Sequence, residues 1–237
     1  MHLTIQSPGN LSTGQSPVLH SEPPASASTT RDKRGLADTS KRWPDGVVTV
    51  ALDLKDKKST ALVLDAIREW AHNTPALQFR VVSGREGDIR ISDDEGYKGN
   101  WSKIGTDAQT VPTSEPTMHL ERNDDSTVFR ASALHEFGHA LGLLHEHQNP
   151  EHDINWDEDA VYDAYASDLF PEELVYSQIL ELPAGGHLLV TAYDSESIMH
   201  YEYPDYVTRD GKGVGANKRV SEGDKAIARK LYGSPSN

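Results

Sequence analysis

Residues 135–147 read His-Glu-Phe-Gly-His-Ala-Leu-Gly-Leu-Leu-His-Glu-His and place three histidines and an adjacent glutamate in one short stretch. If the stretch begins as a helix, His135 and His139 lie one turn apart on the same face, so both imidazoles reach a common metal ion. Glu136 stands about 100° further round the helix, beside the metal axis, where a carboxylate can hold a water molecule. His145 cannot join them on a continuing helix, because six positions carry it off that face. The helix must therefore end in between. Gly142 is suited to ending it, since glycine enters the left-handed region at little cost. Three neutral ligands leave a fourth position open, the pattern of a catalytic zinc ion rather than a structural one. Zinc lowers the pKa of bound water from 15.7 towards about 7. Glu136 is then the general base that takes the water's proton and passes it to the departing amine, while the metal polarises the scissile carbonyl.

The elements that must carry these groups are readable from periodicity. The β-branched run 47–52 predicts a strand. Ala61, Leu62, Leu64, Ile67 and Trp70 recur at helical spacing within 57–72. Short strands are expected at 77–82, 88–92, 101–105 and 117–120, with a loop around 95–100. The motif helix is expected at 127–142, and further helices at 156–168 and 171–181. A last helix starts at Ser221, which forms a capping-box pattern with Asp224, and stops before Gly233. No internal repeat is evident.

Composition limits the partners. A formal net charge of −14 argues against nucleic acid and anionic membranes. No apolar run approaches the ~18 residues of a membrane span. The absence of cysteine removes thiolate ligands and disulfides and leaves histidine and carboxylate to hold metal. Residues 1–34 are set apart from the rest: 1–30 are rich in Ser, Thr, Pro and Gly and are expected to be disordered. Met1 to Gln6 is followed by polar residues, so no signal peptide is read there. The dibasic run Arg31-Asp32-Lys33-Arg34 before Gly35 reads as a linker end or as a processing site. The domain expectation is a tail or propeptide at 1–34 and one catalytic domain at 35–237.

The extended motif from His135 to His145 resembles the metzincin clan of zinc endopeptidases. That clan also requires a tight turn carrying a methionine beneath the metal. Ser197-Ile198-Met199-His200-Tyr201 supplies it, in a chain whose other methionines are Met1 and Met118. Glu146 after the third histidine, together with this form of the turn, resembles the astacins. Arg42-Trp43-Pro44-Asp45-Gly46-Val47-Val48 resembles that family's opening segment, and Asn100-Trp101-Ser102-Lys103-Ile104-Gly105 its edge strand. The resemblance implies an α+β fold of two subdomains with the cleft between them. The upper part would hold a twisted mixed β-sheet and helices, and the lower would be mostly irregular with a C-terminal helix. It implies one catalytic Zn2+ held by His135, His139 and His145, with Tyr201 as a fifth ligand that swings away to donate to the oxyanion. Gly142, Glu146 and Met199 would be structural at the site.

The resemblance also implies that the mature N-terminus is buried against the glutamate after the third histidine. Cleavage after Arg34 would then bring the Gly35 α-amino group to Glu146. Peptide would bind as an added strand on the edge at 101–105, with Trp101 and Lys103 as contacts. Lys218 and Arg219 are candidates for a basic subsite. His147 and His200 are expected to be scaffold, His119 to be structural, and Tyr193 and Asp194 to orient the site or simply to pack.

Departures qualify this picture. Animal members carry disulfides and follow the third histidine with His-x-Arg-x-Asp-Arg-Asp. Here the chain continues His147-Gln148-Asn149-Pro150-Glu151-His152-Asp153, similar to a divergent microbial branch. The prosegment signature Phe-x-Gly-Asp is absent. The expected protein is a secreted, monomeric endopeptidase acting on proteins or peptides, by an export route the sequence does not reveal. The competing readings are a zinc-binding interaction module without proteolysis and a toxin or effector protease of narrow target range.

Overall fold

The computed structural model describes residues 35–167 and 170–233. The expected tail at 1–34 and its dibasic run lie outside the described residues. A five-stranded sheet is built from β2 (Gly46–Asp53), β3 (Leu77–Val82), β4 (Ile89–Ser92), β5 (Trp101–Ser102) and β6 (Met118–His119), in the order β3-β2-β4-β6-β5. The β2–β3, β2–β4 and β4–β6 pairs are parallel, whereas β5 runs antiparallel to β6 and forms one edge. This is the mixed sheet expected. The strand expected at 101–105 is cut short. The chain turns at Gly105, whose φ is +47° and where a Cβ would collide with the Lys41 carbonyl oxygen.

Two long helices back the sheet. Helix α1 (Lys57–Ala71) is capped by Asp56, which accepts from Ser59 N, and it buries Val63, Ala66, Ile67 and Trp70 at helical spacing. Helix α2 (Ser126–Ala140) is capped by Asp125 and buries every residue from Ala133 to Ala140. A fully buried helix keeps its register only if neighbours fix it on all sides. Trp70 Nε1 donates to Leu134 O at 3.0 Å, Trp43 Nε1 to Ala140 O at 2.7 Å, and Tyr232 Oη to Leu141 O at 2.7 Å. Two of these three donors satisfy carbonyls at the helix C-terminus, where intrahelical partners run out.

Further along are α3 (Glu158–Tyr165), α4 (Glu172–Val175) running into a π-helical turn (Tyr176–Leu180), and α5 (Glu222–Leu231) with the capping box of Ser221 and Asp224. The helix expected at 171–181 is thus an α-turn followed by a π-turn. Two apolar clusters result. The larger joins the sheet, α1, α2 and α5, so the C-terminal helix packs into the main core through Ile227, Ala228 and Leu231. The smaller gathers Val161, Val175, Ile179, Tyr203 and Val207. A cavity of about 350 Å³ is lined by residues of both halves, among them Val128 and Ser132 of α2 and Tyr165, Ile179 and Tyr203 of the smaller cluster.

A two-stranded ladder was not foreseen in the sequence. Strand β1 (Leu36–Asp38) pairs antiparallel with β7 (Leu188–Val190). Three-residue strands are too short to show a period. β1 also ties down the chain just after α2: Asp38 N donates to Gly142 O at 2.9 Å and Leu144 N to Leu36 O at 3.0 Å.

Gly142 has φ +94°. Leu143 N donates to Gly138 O at 3.1 Å and Gly142 N to His139 O at 2.8 Å, the two bonds of a Schellman ending. Nothing crowds a Cβ there closer than 3.4 Å, so Gly142→Ala tests backbone strain rather than overlap. The expected outcome is a loss of about 1–2 kcal/mol, read as a lower urea midpoint at unchanged slope in the metal-free protein.

Candidate metal centre

The three histidines of the motif converge. One ring nitrogen from each of His135, His139 and His145 lies within 4.8 Å of the others, a grouping that can hold a metal ion. His135 and His139 come from consecutive turns of α2, and their rings meet edge to face at 4.8 Å. His145 arrives from beyond the Gly142 turn, and its Nε2 stands 2.9 Å from His139 Nε2. Ligand geometry therefore depends on the helix ending.

Main-chain carbonyls choose the tautomers. His135 Nδ1 donates to Ile198 O at 2.8 Å, and His139 Nδ1 donates to Leu143 O at 2.9 Å. A carbonyl oxygen only accepts, so each ring carries its proton on Nδ1 and presents Nε2 as a lone pair. His135 Nε2 is buried and has no hydrogen-bond partner in the protein. Burial pushes the His135 pKa down to about 4, against the lesser effect of its bond to Ile198, so the ring is neutral at pH 7. Neutral imidazoles with Nε2 directed at one point fit a zinc ion.

The floor is the turn at 197–201. Met199 is 1% exposed beneath α2. A Cβ at Gly138 would collide with Met199 Sδ, so the first motif glycine lets the helix and the turn approach with the methionine in this position. A glycine inside a helix costs about 1 kcal/mol relative to alanine, and that cost is the signal from which this contact could have been found. The turn is held from α5. Asp224, buried at the start of that helix, accepts Ile198 N at 2.8 Å, Ser197 Oγ at 2.6 Å and Ser221 N at 2.8 Å. Burial raises its pKa to about 6, with these bonds opposing. Its place in the capping box was legible in the sequence. Its reach to the methionine turn was not.

Around this centre, Glu136 is 1% exposed and borders the cleft together with His135 and Tyr201. The Tyr201 ring lies 4.1 Å from His145 and is stacked on His147 at 4.6 Å. Burial holds its phenol well above the usual range, with the Glu136 carboxylate adding to the shift. His147 Nε2 donates to Gln178 O at 3.0 Å, and His200 Nδ1 donates to Tyr201 O at 2.6 Å, so both flanking histidines are engaged with main chain. His119 is buried between Gly99 O and Asp94 O, at 2.6 and 3.0 Å.

Glu146 is 1% exposed, and its Oε1 accepts from Asn149 Nδ2 and from Asp194 N, both at 2.9 Å. Burial pushes its pKa up to about 8 despite these bonds. Asn149 also donates to Thr191 O, and Thr191 pairs with Gly35 through its N and Oγ1. Gly35 and Glu146 are thus brought to one neighbourhood by Asn149 and β7, while Gly35 N donates to Ala192 O at 3.2 Å.

The expectations for substrate contacts divide. Trp101 is 6% exposed, packs against Tyr97 and His119, and is not among the residues that line the cleft. The preceding Asn100 does line it. Lys103 is half-buried beyond β5. Lys218 lines the cleft, whereas Arg219 is exposed outside it.

Several known proteins are similar to this chain. A family model described as Astacin, a peptidase family, matches residues 35–233. Mouse meprin A subunit beta is 24% identical over 205 residues, which cover 84% of this chain and 25% of meprin. Human Tolloid-like protein 1 is 27% identical over 219 residues, covering 83% of this chain and 19% of its own. The chain therefore spans a quarter or less of the length of these curated relatives. The solved structure of myroilysin superposes with a TM-score of 0.78 at 33% identity, covering 86% of this chain and 100% of that one.

The hydrogen bonds to Asp224 carry a prediction for the floor of the site. Asp224→Ala removes a charged acceptor and leaves the Ile198 N–H and the Ser197 hydroxyl without it. A loss of about 3 kcal/mol is expected, measured by denaturant unfolding, together with weaker zinc retention in equilibrium dialysis.

Proposed function

The chain belongs to the astacin family of peptidases, and from that premise we propose that it is a zinc-dependent endopeptidase cleaving internal peptide bonds of proteins. The observation that carries the reading is the convergence of three imidazoles, one of which, His135, lines a cleft that Glu136 and Tyr201 also border. His135, His139 and His145 would hold the ion through nitrogens whose direction Ile198 O and Leu143 O help to set. Zinc bound there supplies Lewis acidity toward water and toward the peptide carbonyl.

The protein's own groups do the rest. Glu136, buried beside His135, receives a proton from the attacking water and returns it to the amine that leaves. Tyr201 is proposed as the fifth ligand at rest and, once displaced, as the hydroxyl that donates to the developing oxyanion. Met199 supports the three histidines from below, and Gly142 and Glu146 hold the segment that carries His145. The peptide is proposed to extend along β5 as an added strand, read through main-chain hydrogen bonds, with Lys103 and Lys218 near its path.

Glu146 also supports a maturation step. Its buried carboxylate receives two neutral donors, and Asp194 and Asp224 nearby push its pKa up further. A cation would relieve this. Cleavage between Arg34 and Gly35 would create an α-ammonium in the neighbourhood that Asn149 already joins to Glu146. The mature domain would then begin at Gly35. We place the protein's action outside the cell as a monomer. Among the described residues no helix is long and apolar enough to cross a membrane.

Three measurements check these readings. Casein or peptide cleavage should disappear on chelation and return with zinc. Glu136→Gln should lower kcat by at least about 100-fold while binding zinc as wild type does; cleavage unchanged in that variant overturns the assignment. N-terminal sequencing of active protein should find Gly35 first, and fully active protein with residues 1–34 attached would rule out the maturation step.

A further inference from the structure

Tyr193 and His200 form a connection to the cleft that the zinc chemistry does not itself use. His200 Nδ1 lies 2.6 Å from Tyr201 O, and its Nε2 lies 2.7 Å from Tyr193 Oη. The directions follow from the partners. The carbonyl must accept, so Nδ1 carries the ring's proton, Nε2 offers a lone pair, and the Tyr193 hydroxyl donates to it. His200 is 4% exposed. Tyr193 is half-buried and is anchored from its N-terminal side, because Thr191 and Ala192 bond Gly35. On its other side Asp194 N donates to Glu146 Oε1. The phenol of Tyr193 is therefore fixed by the segment that also holds β1 and Glu146.

We propose that Tyr193 and His200 are positioning residues that act in series, Tyr193 orienting the imidazole and the imidazole fixing the main chain of Tyr201, so that the Tyr201 ring stands over the histidine cluster. A carbonyl pinned at 2.6 Å limits rotation of the peptide that follows Tyr201, and with it the reach of the side chain. The proposal rests on the role given to Tyr201 above and extends it to two residues that need touch neither metal nor substrate.

The test uses copper substitution together with kinetics. Copper(II) in place of zinc gives a phenolate-to-copper absorption if Tyr201 reaches the ion, and Tyr201→Phe must abolish that band. Tyr193→Phe keeps the ring and removes the hydroxyl that meets His200 Nε2 and also faces the Tyr203 side chain. It is expected to weaken the band at equal copper content, and to lower kcat roughly fivefold to tenfold with KM and melting temperature near wild type. His200→Ala should have at least the same effect, and adding Tyr193→Phe to it should change little further, because residues acting in series are not additive.

Wild-type band and kcat in Tyr193→Phe overturn the proposal, as do additive effects in the double variant. A wild type without the Tyr201 band overturns it too, since the ring is then not at the ion. Absence of cleavage by zinc-loaded wild type would count against the endopeptidase reading alone, and the band would still report on the positioning.

Discussion

His135 and His139 ride on a helix, His145 does not, and a single ion requires all three. The geometry therefore turns on how α2 ends. The Schellman bonds from Leu143 and Gly142 reverse the chain at a φ of +94°, which a side chain rarely tolerates. The reversed segment is then caught on one side by β1, through Asp38 N and Leu144 N, and on the other by Glu146 N donating to Met199 O at 3.0 Å. Trp43 and Tyr232 satisfy carbonyls at the same helix end from opposite parts of the sequence. The opening and closing segments of the domain thus meet at the point where the ligand set is completed.

Main-chain oxygens do much of the electrostatic work. Ile198 O and Leu143 O fix the protons of two imidazoles without introducing a charge. Apart from Glu136 at the cleft, the carboxyl groups that order this centre stand one layer further out. Asp224 orders the turn that provides Ile198 O, and Glu146 orders the segment after His145. Both carboxyl pKa values are driven up by burial, to about 6 and about 8, so each carboxylate is retained against a desolvation cost. Such groups hold geometry rather than add stability, since each would be cheaper as an apolar residue if packing were its only task.

The chain shows clearly which features can be read locally. Helix α1, β2, β3 and the capping box of α5 follow from spacing and caps within a few residues of one another. The three-histidine cluster was equally legible, because the coordination demand is written into one short stretch. Trp101 marks the limit. Its strand was foreseen, but the alternation that places a side chain on one face does not say which face meets the cleft, and packing against Tyr97 and His119 takes it inward. Strands β1 and β7 are not legible locally, because three residues have no period and their partners lie some 150 positions apart.

By itself the sequence determined the ligand types, their spacing, the neighbouring base and the need for a chain reversal at Gly142. These are local consequences of helix geometry and metal coordination. Tertiary structure decided what faces each of those groups. It chose Ile198 O for His135, set Met199 against Gly138, joined Asp224 to the methionine turn, and placed Tyr193 on His200. Each of these contacts except the one within the turn-and-strand segment, Tyr193 with His200, joins residues more than 20 positions apart. No local pattern encodes such a pair, because it exists only after the elements pack and buried polar atoms must find partners among whatever the fold brings near.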